Sequence, residues 1–143
     1  MRVFKILSHP YTFIFSFLFI LISGEHLGGF YILYIFLGLP HGVVHSLLGF
    51  FGMVLLVSNY HLPRTTKGFV KQCLNVIGAG FLFASIYLFF KNDKEHYNWG
   101  TFEEGVPVFT LVLFGLLGLC FLIGTFLKPR SSTGMIQNVL SKV

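Results

Sequence analysis

The sequence predicts an all-α membrane protein. Four transmembrane helices are expected, with a short interfacial or re-entrant helix between the first and the second. Three observations carry this reading. The chain has 143 residues, of which 55% are hydrophobic and only 10% charged, whereas soluble domains carry about 25% charged residues. Its mean hydropathy is +0.79, so lipid must be the solvent for most of a surface that one soluble core cannot hide. The charges sit at the ends of the apolar runs, not within them. The length suits a single domain over 1–143.

The first apolar run is expected to span about residues 8–24, around "TFIFSFLFILIS". It is short for a helix that must cross the hydrocarbon at 1.5 Å per residue. A start nearer Phe4 lengthens it and puts His9 and Pro10 in its first turn, where proline is tolerated. "MRVFK" and this run also have the form of a signal peptide. However, Ile22-Ser23-Gly24 lacks the small residue that a cleavage site needs three positions before the cut, so the segment is expected to be retained.

Between the first and second runs lies "GEHLGGFYILYIFLG", residues 24–38. Its apolar part is too short to cross and suits an interfacial or dipping helix over about 29–38. Gly24, Gly28 and Gly29 allow the chain to turn before it. The competing reading is one long tilted helix over 11–37, which would bury Glu25 and His26 at greater cost.

The second span is expected over about 40–60, with Pro40 at its first helical position. The third covers about 70–90 and the fourth about 106–127, with Pro129 just beyond. The tail over 128–143, "KPRSSTGMIQNVLSKV", reads either as a short amphipathic helix on the inner surface or as disordered.

Orientation follows from the basic residues. With four spans, Arg2, Lys5, Arg64, Lys67, Lys71, Lys128, Arg130 and Lys142 share one side, and only Lys91 and Lys94 take the other. The positive-inside rule then makes both termini cytoplasmic. Glu25, Asp93, Glu95, Glu103 and Glu104 all fall outside. Tyr97 and Trp99 suit an outer aromatic belt and Tyr60 an inner one.

The stretch "LPHGVVHSLLGFFG", residues 39–52, holds the most informative pattern. On a continuous helix, His41, Gly42, His45, Ser46, Gly49, Gly52 and Met53 share one arc. Phe50, Phe51 and the Val and Leu residues take the opposite one. In lipid, small residues mark the face where backbones approach closely, so the histidines should point into the bundle. Cys73, Gly80 and Ala84 form a weaker stripe of this kind on the third span, and Gly115 and Gly118 on the fourth.

Histidines at i and i+4 can share a metal ion, but "HGVVH" lacks the glutamate of the zinc-protease motif. A divalent-metal or proton-responsive site at the outer face would draw on His41, His45, Glu25 and His26. The simpler reading is that the imidazoles make interhelical hydrogen bonds. Bis-histidine haem lacks a partner, because the third and fourth spans contain no histidine. Apart from Lys71 at the mouth of the third, those spans also carry no charged residue, which counts against a transporter or channel. Asn75 is expected to make an interhelical hydrogen bond.

Ser46 is adjacent to His45 and therefore diverges from it by 100° on a helix. Phosphate-binding glycine loops are absent. Cys73 and Cys120 form no CxxC pair and read as small apolar residues. Basic residues confined to helix ends do not make a nucleic-acid surface. The expected role is therefore that of a non-enzymatic structural or accessory subunit without a cofactor. Its partners would be the lipid bilayer and either another membrane protein or further copies of itself. The rivals are the outer-face site and a small transporter or channel.

Overall fold

The chain folds mainly into helices, and the computed structural model describes residues 2–25, 28–63 and 65–127. Helix α1 covers Arg2–Leu7 and α2 covers Pro10–Leu18. A minimal antiparallel ladder follows, β1 at Leu21–Ile22 and β2 at Gly29–Phe30, with Leu21 opposite Phe30 and Ile22 opposite Gly29. Helix α3 spans Tyr31–Gly38 and runs into a 3₁₀ turn at Leu39–His41. Helices α4 (Val44–His61), α5 (Gly68–Lys91) and α6 (Gly105–Phe126) complete the bundle.

Among the described residues, three helices are long and apolar enough to cross a membrane: α4 with 18 residues, α5 with 24 and α6 with 22. At 1.5 Å per residue these are roughly 27, 36 and 33 Å long. This is compatible with a multi-pass membrane protein.

The first segment differs from the expected continuous helix over 8–24. Its helix restarts at Pro10, where the His9 ring accepts a hydrogen bond from the Tyr11 N–H at 3.4 Å, and it ends after Leu18. The chain then runs extended. It nevertheless lies beside α6 for most of that helix. Ser8 packs against Gly124, and the Phe13 ring stacks on Phe121 and Phe114. The Leu21 N–H reaches the Thr110 hydroxyl at 3.0 Å, and the Ser23 N–H reaches that of Thr101 at 2.9 Å. Extended backbone rises about 3.3 Å per residue against 1.5 Å in a helix, so few residues cover the distance.

Leaving the helix frees peptide groups that must be satisfied in a dry interior. Threonines supply the partners. Thr110 accepts from Leu21 while donating to the Pro107 carbonyl at 2.7 Å. Thr101 accepts from Ser23 and donates back to its carbonyl at 3.3 Å. The Tyr31 N–H closes the set on the Ile20 carbonyl at 2.7 Å. Ile20 and Ile22 are buried, so the extended stretch is sheathed by protein.

The short helix expected over about 29–38 is present as α3. It buries Tyr31 and Ile35 and leaves Leu33, Phe36 and Leu37 exposed.

The start of α4 is a correction. The second span was expected from residue 40, but Pro40 belongs to the 3₁₀ turn. Gly42 then takes a left-handed conformation (φ 66°) and Val43 is extended, so α4 begins only at Val44. A left-handed residue costs about 1–2 kcal/mol in any side-chain-bearing type, and glycine avoids this.

From Ser46 onward the small face is as expected. Ser46, Gly49, Gly52, Leu56 and Asn59 are buried, while Phe50 and Phe51 are exposed. A Cβ at Gly52 would sit 3.0 Å from the Gly78 carbonyl oxygen, and one at Gly78 would sit 3.3 Å from that of Gly52. The two backbones therefore touch at this crossing. On α5 the buried face is Gly78, Ala79, Leu82, Ser85 and Phe89. The expected stripe of Cys73, Gly80 and Ala84 is not that face: Gly80 is exposed and has open space around it. On α6, Gly118 packs against Phe83 and Phe13, whereas Gly115 meets nothing.

Candidate functional site

The two ends of the bundle differ in charge. Arg2, Lys5, Lys67 and Lys71 share one end, where Tyr11 meets His61 and Ser8 meets Gly124. Glu25, Asp93, Glu95, Glu103 and Glu104 gather at the other. There the Glu25 N–H donates to the Tyr97 carbonyl at 2.9 Å and the Ser23 hydroxyl donates to Glu104 at 2.5 Å.

His41 and His45 belong to the carboxylate-bearing end, and the Gly42 turn separates them. His41 ends the 3₁₀ turn and is exposed, while His45 lies in the first turn of α4 and is half-buried. They do not share a helical face, because the backbone between them is not helical. The His45 ring lies edge-on to Phe89 at 5.2 Å and tilted over Tyr31 at 6.3 Å. Tyr34 meets Phe89 at 5.0 Å. Rings from α3, α4 and α5 thus form one aromatic cluster beneath that end.

A buried hydrogen-bond chain anchors the cluster. Ser85 donates to the His45 carbonyl at 2.6 Å, and its hydroxyl lies 2.9 Å from that of Tyr31. With the serine hydrogen committed to the carbonyl, the tyrosine is the donor. Ser85 meets His45 through its backbone, so in this arrangement the imidazole does not activate the serine hydroxyl. Ser46 extends the lock by donating to the Tyr34 carbonyl at 3.2 Å.

Glu25 is exposed and is tied by its backbone to the α5–α6 loop, whereas His26 lies outside the described residues. Among the described residues, no three His, Cys, Asp or Glu side chains come together as a metal-binding group. That loop is organised by Asp93, whose carboxylate accepts from the N–H groups of Tyr97 (3.2 Å) and Asn98 (2.7 Å). The Tyr97 hydroxyl donates to Glu95 at 2.5 Å. This bond holds the neutral phenol and raises its pKa above the ordinary value, and the charges of Glu25 and Asp93 add to the effect.

The basic end has its own polar layer. Asn59 of α4 donates to the Lys71 carbonyl at 2.8 Å and to the Asn75 side-chain oxygen at 2.5 Å. Asn75 in turn donates to the Thr125 hydroxyl of α6 at 3.2 Å, and Gln72 donates to the Thr125 carbonyl at 3.3 Å. Asn75 thus makes the expected interhelical bond, in a layer joining α4, α5 and α6. Nearby, the Tyr11 hydroxyl lies 2.8 Å from His61 Nε2, the His9 ring stacks on Tyr11, and Tyr60 meets both rings edge-on.

Sequence reasoning singled out the histidines and Asn75 but not Tyr31, Ser85, Asn59, Thr101, Thr110 or Thr125. Except for Thr101, which lies in the polar α5–α6 loop, their signal is that of polar side chains in apolar runs, each of which needs a partner in a dry interior.

No protein-family model, curated protein or solved structure matches this chain.

Proposed function

We propose that this chain is a small multi-pass membrane protein without catalysis of its own, acting as a structural or accessory subunit of a larger membrane assembly. The observation that supports it is how the polar groups are used. The hydroxyls of Tyr31, Ser85, Thr101, Thr110 and Thr125 and the amide of Asn75 each join one chain segment to another. They stiffen the bundle and leave its long outer faces apolar, with Phe50, Phe51, Phe109, Leu116 and Ile123 exposed. A rigid body with apolar flanks suits packing against lipid and partner helices.

On this reading both termini and the basic end face the cytoplasm, and the α1–α2–β1 segment completes the crossing beside α6. The rival is a metal- or proton-responsive site on His41, His45, Glu25 and His26, favoured by the placing of His41, His45 and Glu25 at one end. A small transporter or channel is the third reading, against which the charge-free α6 counts.

One preparation tests these. The tagged chain is extracted in a mild detergent, sized by native electrophoresis and assayed for metals. A defined species larger than the monomer, free of stoichiometric metal, supports the accessory role. A lone monomer carrying one zinc or iron per chain overturns it in favour of the outer site.

A further inference from the structure

An apolar groove of about 240 Å³ opens where α5 begins and α6 ends, lined by Phe69, Gln72, Cys73, Val76, Ile77 and Phe126. The Gln72 amide is engaged with the Thr125 carbonyl, so the groove offers an apolar wall. Its rim is formed by Phe69, which is 75% exposed, and Phe126, which is 63% exposed.

The described residues end at this rim, at Leu127, directly after Phe126. Residues 128–143 follow, "KPRSSTGMIQNVLSKV". On a helix, Met135, Ile136, Val139 and Leu140 would share one face, with Gln137, Asn138 and Ser141 opposite. Lys128, Arg130 and Lys142 bracket that face.

We propose that this groove is the docking site for the chain's own C-terminal segment, with Met135, Ile136, Val139 and Leu140 seated over Phe69, Cys73 and Phe126. Residues 128–134 can extend roughly 23 Å at about 3.3 Å each, more than the 8–10 Å between packed helix axes. A tethered segment meets its site at an effective concentration in the millimolar range, which favours it over a free partner. The flanking cations hold it at the anionic headgroup level, where α5 starts. This inference goes beyond the accessory role and does not depend on it.

Cys73 is half-buried in the groove and makes a native reporter. The test uses full-length protein in membranes, with Cys120→Ser and either Ile136→Cys or Asn138→Cys. Copper phenanthroline is the oxidant, and peptide mass is read without reduction. An intrachain disulfide between Cys73 and position 136 should form several-fold faster than one to position 138. Truncation after Leu127 should speed N-ethylmaleimide alkylation of Cys73 several-fold. Equal or absent crosslinks together with unchanged alkylation would overturn the proposal, leaving the groove to acyl chains. A disulfide-linked dimer would overturn it in favour of a second copy.

Discussion

Single hydroxyls are worth most where the interior offers no water to replace them. The Tyr31–Ser85–His45 chain is such a case, since Tyr31 and Ser85 are both fully buried. Ser85→Ala strips the His45 carbonyl of its side-chain donor and should cost about 1–3 kcal/mol, read as thermal unfolding in detergent. Tyr31→Phe should cost a similar amount. The double variant should lose less than the sum, because the two residues share one network; strict additivity would show that they act separately. Tyr97 offers a pH readout at the same scale. Its phenol is raised mainly by the bond to Glu95. The contribution to stability is complete below the unfolded phenol pKa of about 10 and is lost as pH rises through the higher folded value. Tyrosinate absorbance, taken as the difference from Tyr97→Phe, should show a lower titration midpoint in Glu95→Gln. An unchanged midpoint would remove Glu95 as the main cause.

Elements pack here by backbone approach and by threonine crosslinks, and each device has its own signature. Gly52→Leu drives a large side chain into the Gly78 carbonyl and Leu82. It should destabilise by about 1–3 kcal/mol or prevent assembly, whereas Phe50→Leu, on an exposed face, should change stability by a few tenths. Equal tolerance in denaturation assays would contradict the α4–α5 crossing. Thr110→Val keeps the shape but removes the acceptor for the Leu21 N–H. An orphaned buried N–H costs about 1–3 kcal/mol, so amide exchange should accelerate at Leu21 and its neighbours. Protection there equal to that of the parent chain would mean that another group satisfies β1.

At the scale of the whole molecule, charge and length together predict a threading. Thr66 lies in the α4–α5 connection at the basic end, and Lys94 lies in the α5–α6 loop among the carboxylates. Cysteines placed at these positions, with Cys73 and Cys120 replaced by serine, should react with an impermeant maleimide from opposite sides of the membrane. Labelling of both from one side would sink the multi-pass arrangement.

The apolar runs, their lengths and the segregation of charge could be read from composition and order alone. Such properties need only the hydropathy of consecutive residues, and α4, α5 and α6 follow from them closely. The short helix after the glycine-rich turn and the Ser46–Gly49–Gly52 face were legible for the same reason, since each rests on local pattern and helical period. Tertiary contact decided the rest. The first run stops being helical at Phe19 because Thr101 and Thr110, about 80 to 90 residues away, supply the hydrogen bonds that an extended chain needs. His41 leaves the face of His45 because Gly42 adopts a left-handed turn that helical periodicity cannot foresee. On α5, Gly80 was as small as Gly78, but only Gly78 meets a neighbouring backbone. Local sequence states which residues permit close approach, and the partner surface selects which of them are used.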